Sequence, residues 1–323
     1  MGGIGISNSE AKLFTDCRRK FYYARVKNLE AKSKVLPLAR GSWMHKLFEA
    51  YFIGKDWGKV HKKLCKEFED ELTAEEYEAL AELPAECERM MDTYEWMYFN
   101  TDRNLDVIAT ELVLEIPIIH GHTYQATLDV VFRDELGLWI MDHKTLGRYP
   151  SANAQFTDAQ TARYAFAAYK HFGEMPIGIV WDYVITKPPT KPRVVKDGSR
   201  LYAKKVNTDL HTYVKAIKEY GLDPYDYKDK ILELKEHNPF YRRDYVPVVR
   251  PVVTTLVKEL IYIADEIERG FKPVRSLGKH CDWCQFQPLC IADLQKADSG
   301  FIERTQYKPR ERRYGGTTDE EEA

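Results

Sequence analysis

Two stretches decide the fold: His122-Thr-Tyr-Gln-Ala-Thr-Leu-Asp129-Val-Val-Phe-Arg133 and, after a four-residue turn, Leu138-Trp-Ile-Met-Asp142-His143-Lys144. Alternation along the first places Gln125, Thr127 and Asp129 on one face and Leu128 and Val130 on the other, the period of a half-buried strand. In the second, the apolar run Leu138–Met141 ends in Asp142 and Lys144, two residues apart and therefore on a common face. Asp134–Gly137 supplies the turn that makes the two strands neighbours. Working outward, Val107–Ile118 reads as a preceding strand turned through Gly121. Gln155–Phe172 reads as a helix rich in alanine and aromatic residues, and Ile177–Thr186 as a mostly apolar strand. Helix, three strands, helix, strand predicts an α/β fold with a mixed sheet flanked by helices.

Nearer the N-terminus, Ser7–Lys27 reads as one helix. Ser7 and Glu10 have capping-box spacing, and Leu13, Cys17 and Phe21 recur every four residues. This segment is basic. Ser42–Ile53 predicts a second helix, with His45 and Glu49 one turn apart. Glu67–Glu95 is acidic and helix-prone, interrupted at Pro84, and reads as a solvated helical face. Downstream, Lys187–Lys205 is loop-like, Asp209–Tyr220 and Thr254–Arg269 are helical, and residues 304–323 read as a polar, flexible tail. The expected organisation is one integrated domain over residues 1–303 with its core at 105–186.

The 323 residues carry 48 basic against 50 acidic side chains, a balance that excludes a wholly basic, histone-like DNA binder but not local basic patches. At 13% aromatic the chain has the composition of a folded protein rather than a disordered one. No apolar run approaches the roughly 18–20 residues that a membrane span needs, and residues 1–30 lack a signal-peptide pattern. The expected location is the bacterial cytoplasm, or the host cytoplasm for a phage-encoded chain, with no membrane partner. Six cysteines are too few for a disulfide framework and call for another explanation.

Two carboxylates at the ends of adjacent strands, Asp129 and Asp142, with Lys144 beside one of them, make a site for a hard divalent cation. A lysine there stabilises developing charge or orients an attacking water. His45 lies on a helix before the sheet, and Gln160 and Tyr164 stand one turn apart on the helix after it. With these added, the sequence resembles the PD-(D/E)XK nuclease superfamily, and within it the RecB-type exonucleases. Those carry a helix histidine, an L-D strand, a D-x-K strand and a Q-x3-Y helix; here Gly41-x3-His45, Leu128-Asp129, Asp142-His143-Lys144 and Gln160-x3-Tyr164 match. No proline precedes Asp129, a letter of the superfamily's name that RecB-type members often lack.

The resemblance implies a restriction-endonuclease-like fold and Mg²⁺ or Mn²⁺ held by His45, Asp129, Asp142 and the backbone carbonyl of His143. It implies catalytic roles for Asp129, Asp142 and Lys144, and places Gln160 and Tyr164 near the nucleic-acid strand. Glu111 matches a glutamate that these families place on the first strand. By itself it reads equally as support for the site or as a charge on a solvated strand face.

Near the C-terminus, Cys281, Cys284 and Cys290 form C-x2-C-x5-C, three thiolates suited to a soft metal centre that wants a fourth ligand. The spacing is similar to that of iron–sulfur RecB-type nucleases, among them AddB nuclease domains and CRISPR-adaptation Cas exonucleases. That resemblance implies a 4Fe–4S cluster with Cys17 as the fourth ligand, joining segments 7–30 and 276–292. The residues alone leave structural Zn²⁺ open. Cys65 and Cys87 read as ordinary buried thiols.

Arg18, Arg19 and Lys20 on the first helix are the preferred nucleic-acid contacts. Two further basic stretches lie at Lys187–Lys205, interleaved with Tyr183 and Tyr202, and at Arg304–Arg313. No helix-turn-helix or zinc-finger pattern is present, so recognition of backbone, ends or strandedness is expected. The resulting expectation is a metal-dependent DNA exonuclease acting on single-stranded or end-frayed DNA in recombination, repair or spacer acquisition. Without a G-x4-G-K-[S/T] loop, unwinding falls to a partner such as a helicase, a recombinase or a CRISPR adaptation protein. The alternatives are a structure-specific endonuclease and a non-catalytic nucleic-acid-binding protein on a nuclease scaffold.

Overall fold

The computed structural model describes residues 3–32, 36–71, 74–151, 153–154, 158–202 and 206–310. The chain divides into two compact units, Met1–Asn8 with Val35–Ile261, and Ser9–Lys34 with Tyr262–Ala323. In chain order the elements are β1 (Gly5–Ser7), α1 (Asn8–Asp16), α2 (Arg18–Phe21), β2 (Leu29–Ala31), α3 (Leu36–Phe52), α4 (Trp57–Glu71), α5 (Ala74–Leu80) and α6 (Leu83–Asp102). They continue with β3 (Asp106–Pro117), β4 (Thr123–Asp134), β5 (Gly137–Leu146), α7 (Ala159–Phe172) and β6 (Gly178–Ile185). The remainder are α8 (Leu210–Glu219), α9 (Lys228–Glu236), β7 (Tyr241–Pro247), α10 (Arg250–Arg269), α11 (Gln287–Leu294), α12 (Ser299–Gln306) and β8 (Tyr307–Pro309). Among the described residues no helix is long and apolar enough to cross a membrane.

The first unit holds a six-stranded mixed sheet in the order β1-β4-β5-β6-β7, with β3 paired to β4. The expected mixed α/β architecture is therefore present. Pairing of β4 with β5 runs from Asp134↔Gly137 to Val130↔Met141 and stops. β5 continues in parallel with β6 as far as Leu146↔Ile185, while β4 continues antiparallel to β3 and takes the short β1 in parallel at Thr123–Gln125. The two central strands thus fork immediately before Asp129 and Asp142. One face of the sheet packs on α3 and α6 through Leu47, Phe48, Met90, Tyr94 and Val180. Ala162 and Ala165 of α7 pack on Val253 and Val257 of α10.

Every residue of β6 is buried, including the acid Asp182. Its Oδ2 accepts from the Tyr94 hydroxyl at 2.6 Å and lies 2.8 Å from His143 Nδ1, while Arg243 Nε donates to Oδ1 at 3.1 Å. Arg243 also reaches both oxygens of Asp102, at 2.6 and 2.7 Å. Burial opposes ionisation of Asp182, but Arg243 and the hydrogen bonds outweigh it and hold the carboxyl at about 2. Gly178 is obligatory at the start of β6, because a Cβ there would stand 2.4 Å from the Trp139 ring and 2.7 Å from the Val246 carbonyl oxygen.

In the second unit β2 pairs antiparallel with β8. Tyr23, Phe286, Leu289 and Tyr307 form its buried centre, and the Tyr307 hydroxyl donates to the Gln285 carbonyl at 2.7 Å. Within the segment that begins at residue 304, Tyr307–Pro309 form β8, with Tyr307 buried and stacked on Phe286. Residues 311–323 lie outside those described, as do residues 155–157, 204 and 205 of the expected helix and basic loop. The single helix expected over Ser7–Lys27 is corrected. Ser7 ends a strand, and Cys17 is extended (φ −163°, ψ 109°), separating α1 from α2. Pro84 does not interrupt a helix but opens α6, at a position where its missing N–H costs nothing.

Removing one partner from a buried ion pair leaves the other uncompensated, so Asp182→Ala is expected to lose about 3–5 kcal/mol in denaturant unfolding. Because the folded pKa lies below the unfolded value, this contribution is complete above about pH 4 and shrinks as the pH falls toward 2. The wild-type advantage over Asp182→Ala should narrow over the same range.

Candidate active site

The site sits at the fork. Where β5 leaves β4, the amide of His143 loses its ladder partner, and Asp129 Oδ2 accepts it at 2.8 Å. From α3, His45 brings Nδ1 to 3.5 Å from the same oxygen and 3.3 Å from Glu111 Oε1. Glu111 falls opposite Asp129 in the β3–β4 register, between Thr110↔Val130 and Leu112↔Leu128. Its backbone is left-handed (φ 45°), a conformation that costs a non-glycine residue about 1–3 kcal/mol and collects at functional sites. His45, Glu111 and Asp129 each offer a ligand atom within 4.8 Å of the others.

Asp142 stands beside this trio but is engaged differently. Lys144 Nζ lies 2.5 Å from its Oδ2, and Gln160 Nε2 donates to its Oδ1 at 2.8 Å. Gln160 is positioned by the first turn of α7, whose N-terminus Asp158 caps by accepting from the Gln160 amide. Tyr164, one turn on, shares a hydrogen bond with Gln160. Burial and the nearby Asp142 and Asp129 push its hydroxyl pKa well up, so it is a neutral donor.

The electrostatics mark a shortage of positive charge. Burial, then the neighbouring Asp142, raises Asp129 to about 6. Burial works against a charged His45, but its hydrogen bond to Glu111 and the charges of Asp129, Glu111 and Asp142 raise it to about 8. Lys144 is likewise disfavoured by burial, yet Asp142 and Asp129 hold it protonated. Three carboxylates and one imidazole are a donor set for Mg²⁺ or Mn²⁺, and a divalent cation supplies the charge that Asp129 lacks. The His143 side chain points away from the carboxylates. It stacks on Phe48 at 4.1 Å and bonds to Asp182, leaving only its backbone available to the site.

Sequence reasoning left Glu111 balanced between support and solvent, whereas its carboxylate is drawn into the trio. It missed the Asp182–Arg243–Asp102–Tyr94 network altogether. One signal was available: a single acid inside the otherwise apolar run Gly178–Ile185 has to find a buried partner.

In the second unit Cys17, Cys281, Cys284 and Cys290 line one cavity of about 230 Å³. All four are free thiols. Arg275 Nε donates to Cys290 Sγ at 3.4 Å. Of the three expected nucleic-acid contacts, Arg18 pairs with Glu266 at 2.6 Å and Arg19 with Asp293 at 3.2 Å, while Lys20 lines the cysteine cavity.

A forked mixed sheet with a histidine, paired carboxylates and a D-x-K lysine at the fork defines a metal-dependent phosphodiesterase site. Residues 5–291 match the family described as PD-(D/E)XK nuclease superfamily, and the chain belongs to that superfamily. Membership makes it a nuclease, a hydrolase that depends on a divalent metal and binds nucleic acid. The chain is also similar, at 11% identity and a TM-score of 0.33, to the solved structure titled "Crystal structure of SSO0001", over 89% of this chain and 86% of that one. That likeness is too slight to carry an argument. No curated protein matches the chain.

Metal ligands must be deprotonated, so Mn²⁺ affinity is expected to fall as the pH is lowered through about 8 and again through about 6, the values of His45 and Asp129. Calorimetric titration across this range checks both steps, and His45→Ala should abolish the upper one. Glu111→Gln should weaken Mn²⁺ binding by about 10-fold or more, the scale on which metal sites respond to lost carboxylate partners.

Proposed function

We propose that this nuclease is a RecB-type DNA exonuclease acting on single-stranded or end-frayed DNA with Mg²⁺ or Mn²⁺. The observation that carries the reading is the pairing of Lys144 with Asp142 beside the His45–Glu111–Asp129 trio. His45, Asp129, Asp142 and the His143 carbonyl would hold the ion, with Glu111 joining them. When bound, the ion supplies Lewis acidity at the phosphate and lowers the pKa of a coordinated water.

The chain's own residues do the rest. Lys144 keeps its proton under the influence of Asp142 and Asp129, and so presents a fixed positive charge to oxygens that become more negative during displacement at phosphorus. Gln160 fixes one oxygen of Asp142 and leaves the other facing Lys144. The Tyr164 hydroxyl, kept neutral by burial, offers a donor to the sugar–phosphate strand. Asp129 holds the His143 amide and thereby the spacing of the two carboxylate-bearing strands.

In this reading the four cysteines bind a 4Fe–4S cluster with a structural role. Support comes from the convergence of Cys17 with the C-x2-C-x5-C triplet on one cavity, together with the resemblance of that spacing to iron–sulfur RecB-type nucleases. A free end prepared by a helicase, a recombinase or an adaptation protein would suit such an enzyme.

End-labelled single- and double-stranded DNA incubated with Mn²⁺ should yield mononucleotides or short oligomers, with closed circular DNA left intact. Cutting of the circle would favour the endonuclease alternative. Asp142→Ala should lose at least 10²-fold in rate with DNA binding retained; unchanged cleavage would sink the metal assignment. Anaerobically purified protein should be brown, with absorbance near ~400 nm and iron that is lost in Cys284→Ser. A colourless protein carrying stoichiometric zinc would overturn the cluster.

A further inference from the structure

We propose that Arg242 on β7 forms a second phosphate-binding position for the strand being cut, a sequence-independent contact beside the catalytic lysine. The proposal rests on the nuclease reading and names a substrate contact that the catalytic constellation does not contain.

The register places it. In the β5–β6 pair, Asp142 lies opposite Trp181 and Lys144 opposite Tyr183. In the β6–β7 pair, Trp181 lies opposite Asp244 and Tyr183 opposite Arg242. Lys144, Tyr183 and Arg242 therefore form one row across three strands, on the face that carries Asp142. Two strand spacings separate the backbones of the lysine and the arginine by about 10 Å. A cation at the reacting phosphate and another that far along the same row suit one extended sugar–phosphate chain.

The side chain is built to stay there. Its guanidinium carbon lies 4.2 Å from the Tyr149 ring centroid and 5.5 Å from that of Tyr183, and the two rings meet edge to face at 6.0 Å. Aromatic packing on both sides limits the rotamers of a long side chain, so less entropy is lost when a ligand binds. One Nη donates to Asp244 at 2.9 Å, Nε is buried with no hydrogen-bond partner, and 40% of the side chain stays exposed. A guanidinium carries five N–H donors in a fork that fits phosphate oxygens, so a single carboxylate contact leaves donors to spare.

The adjacent arginine shows the contrast. Arg243 points to the opposite face, where Asp102 and Asp182 engage it, and only 9% of its side chain is exposed. Of two consecutive arginines on one strand, one closes the interior and the other faces the row of the site.

The test uses the full chain with a fluorescein-labelled oligo-dT. Binding is followed by anisotropy over a salt series, and cleavage is measured with Mn²⁺. Arg242→Gln should raise KM about 10-fold with kcat within about twofold, the size of one charge-assisted hydrogen bond. It should also reduce the slope of log affinity against log salt by about 1. Arg242→Lys keeps the charge without the fork and should restore the slope with only part of the affinity. Tyr149→Ala should weaken binding with the slope unchanged, whereas Tyr149→Phe should match wild type. A wild-type chain that cleaves, with an Arg242→Gln variant of normal melting temperature, KM and salt slope, overturns this inference and leaves the nuclease reading standing. A lower kcat at unchanged KM in Arg242→Gln overturns it equally, because the residue would then act on chemistry or folding. Failure of wild type to bind or cleave any DNA overturns the nuclease reading itself.

Discussion

The structure of the first unit turns on one hydrogen bond, from the His143 amide to Asp129 Oδ2. A sheet whose two central strands separate leaves backbone donors without ladder partners, and an unpaired buried amide is costly. Asp129 answers that cost with a carboxylate. The price is a buried negative charge, raised to about 6, next to a second acid at Asp142. Fork and candidate metal site thus coincide: an acid meets the amide that the opened sheet leaves unpaired, and a bound cation would offset that acid's buried charge.

The other side of the same residue carries a second constraint. The His143 ring is stacked on Phe48 and bonded to Asp182, which Arg243 ties to Asp102. This buried chain links β5, β6, β7 and α6, so the strand bearing Asp142 and Lys144 is held from behind while its front edge serves the site. Buried charges persist only when they are paired, which explains why Asp102, Asp182 and Arg243 occur together with Tyr94 and His143 in the interior. The near-zero net charge of the chain conceals this arrangement, in which one arginine, Arg243, is shared between two acids, Asp102 and Asp182.

Much of the fold was legible. Val107–Ile118, His122–Arg133, Leu138–His143 and Ile177–Thr186 read as strands because their apolar period survives, and each overlaps an observed strand. Tyr241–Pro247 did not read as a strand, because its buried apolar residues, Tyr241 and Val246, break the two-residue period and Arg243 between them is held by acids far away in sequence. The break at Cys17 was hidden for a related reason: Leu13, Cys17 and Phe21 keep a helical period through a residue that is extended. Within the site, the sequence reading chose His45, Asp129, Asp142 and Lys144, and these stand together at the fork. Glu111 stayed undecided because nothing in a strand's alternation signals a left-handed backbone.

The sequence by itself determined the core order of helix, three strands, helix and strand, the acids Asp129 and Asp142 with Lys144 beside them, and the C-x2-C-x5-C triplet, while His45 and Cys17 were joined to them by family resemblance. The acids, the lysine and the cysteine triplet are properties of local period or short spacing. Only the tertiary structure decided which acids share an oxygen-lined site and which are spent on a lysine, a glutamine or an interior arginine. It also decided that Arg242 and Arg243 face opposite sides of the sheet with different partners. The physical reason is that charge pairing depends on distance, and distance between strands remote in sequence is set by register and forking that no single segment encodes.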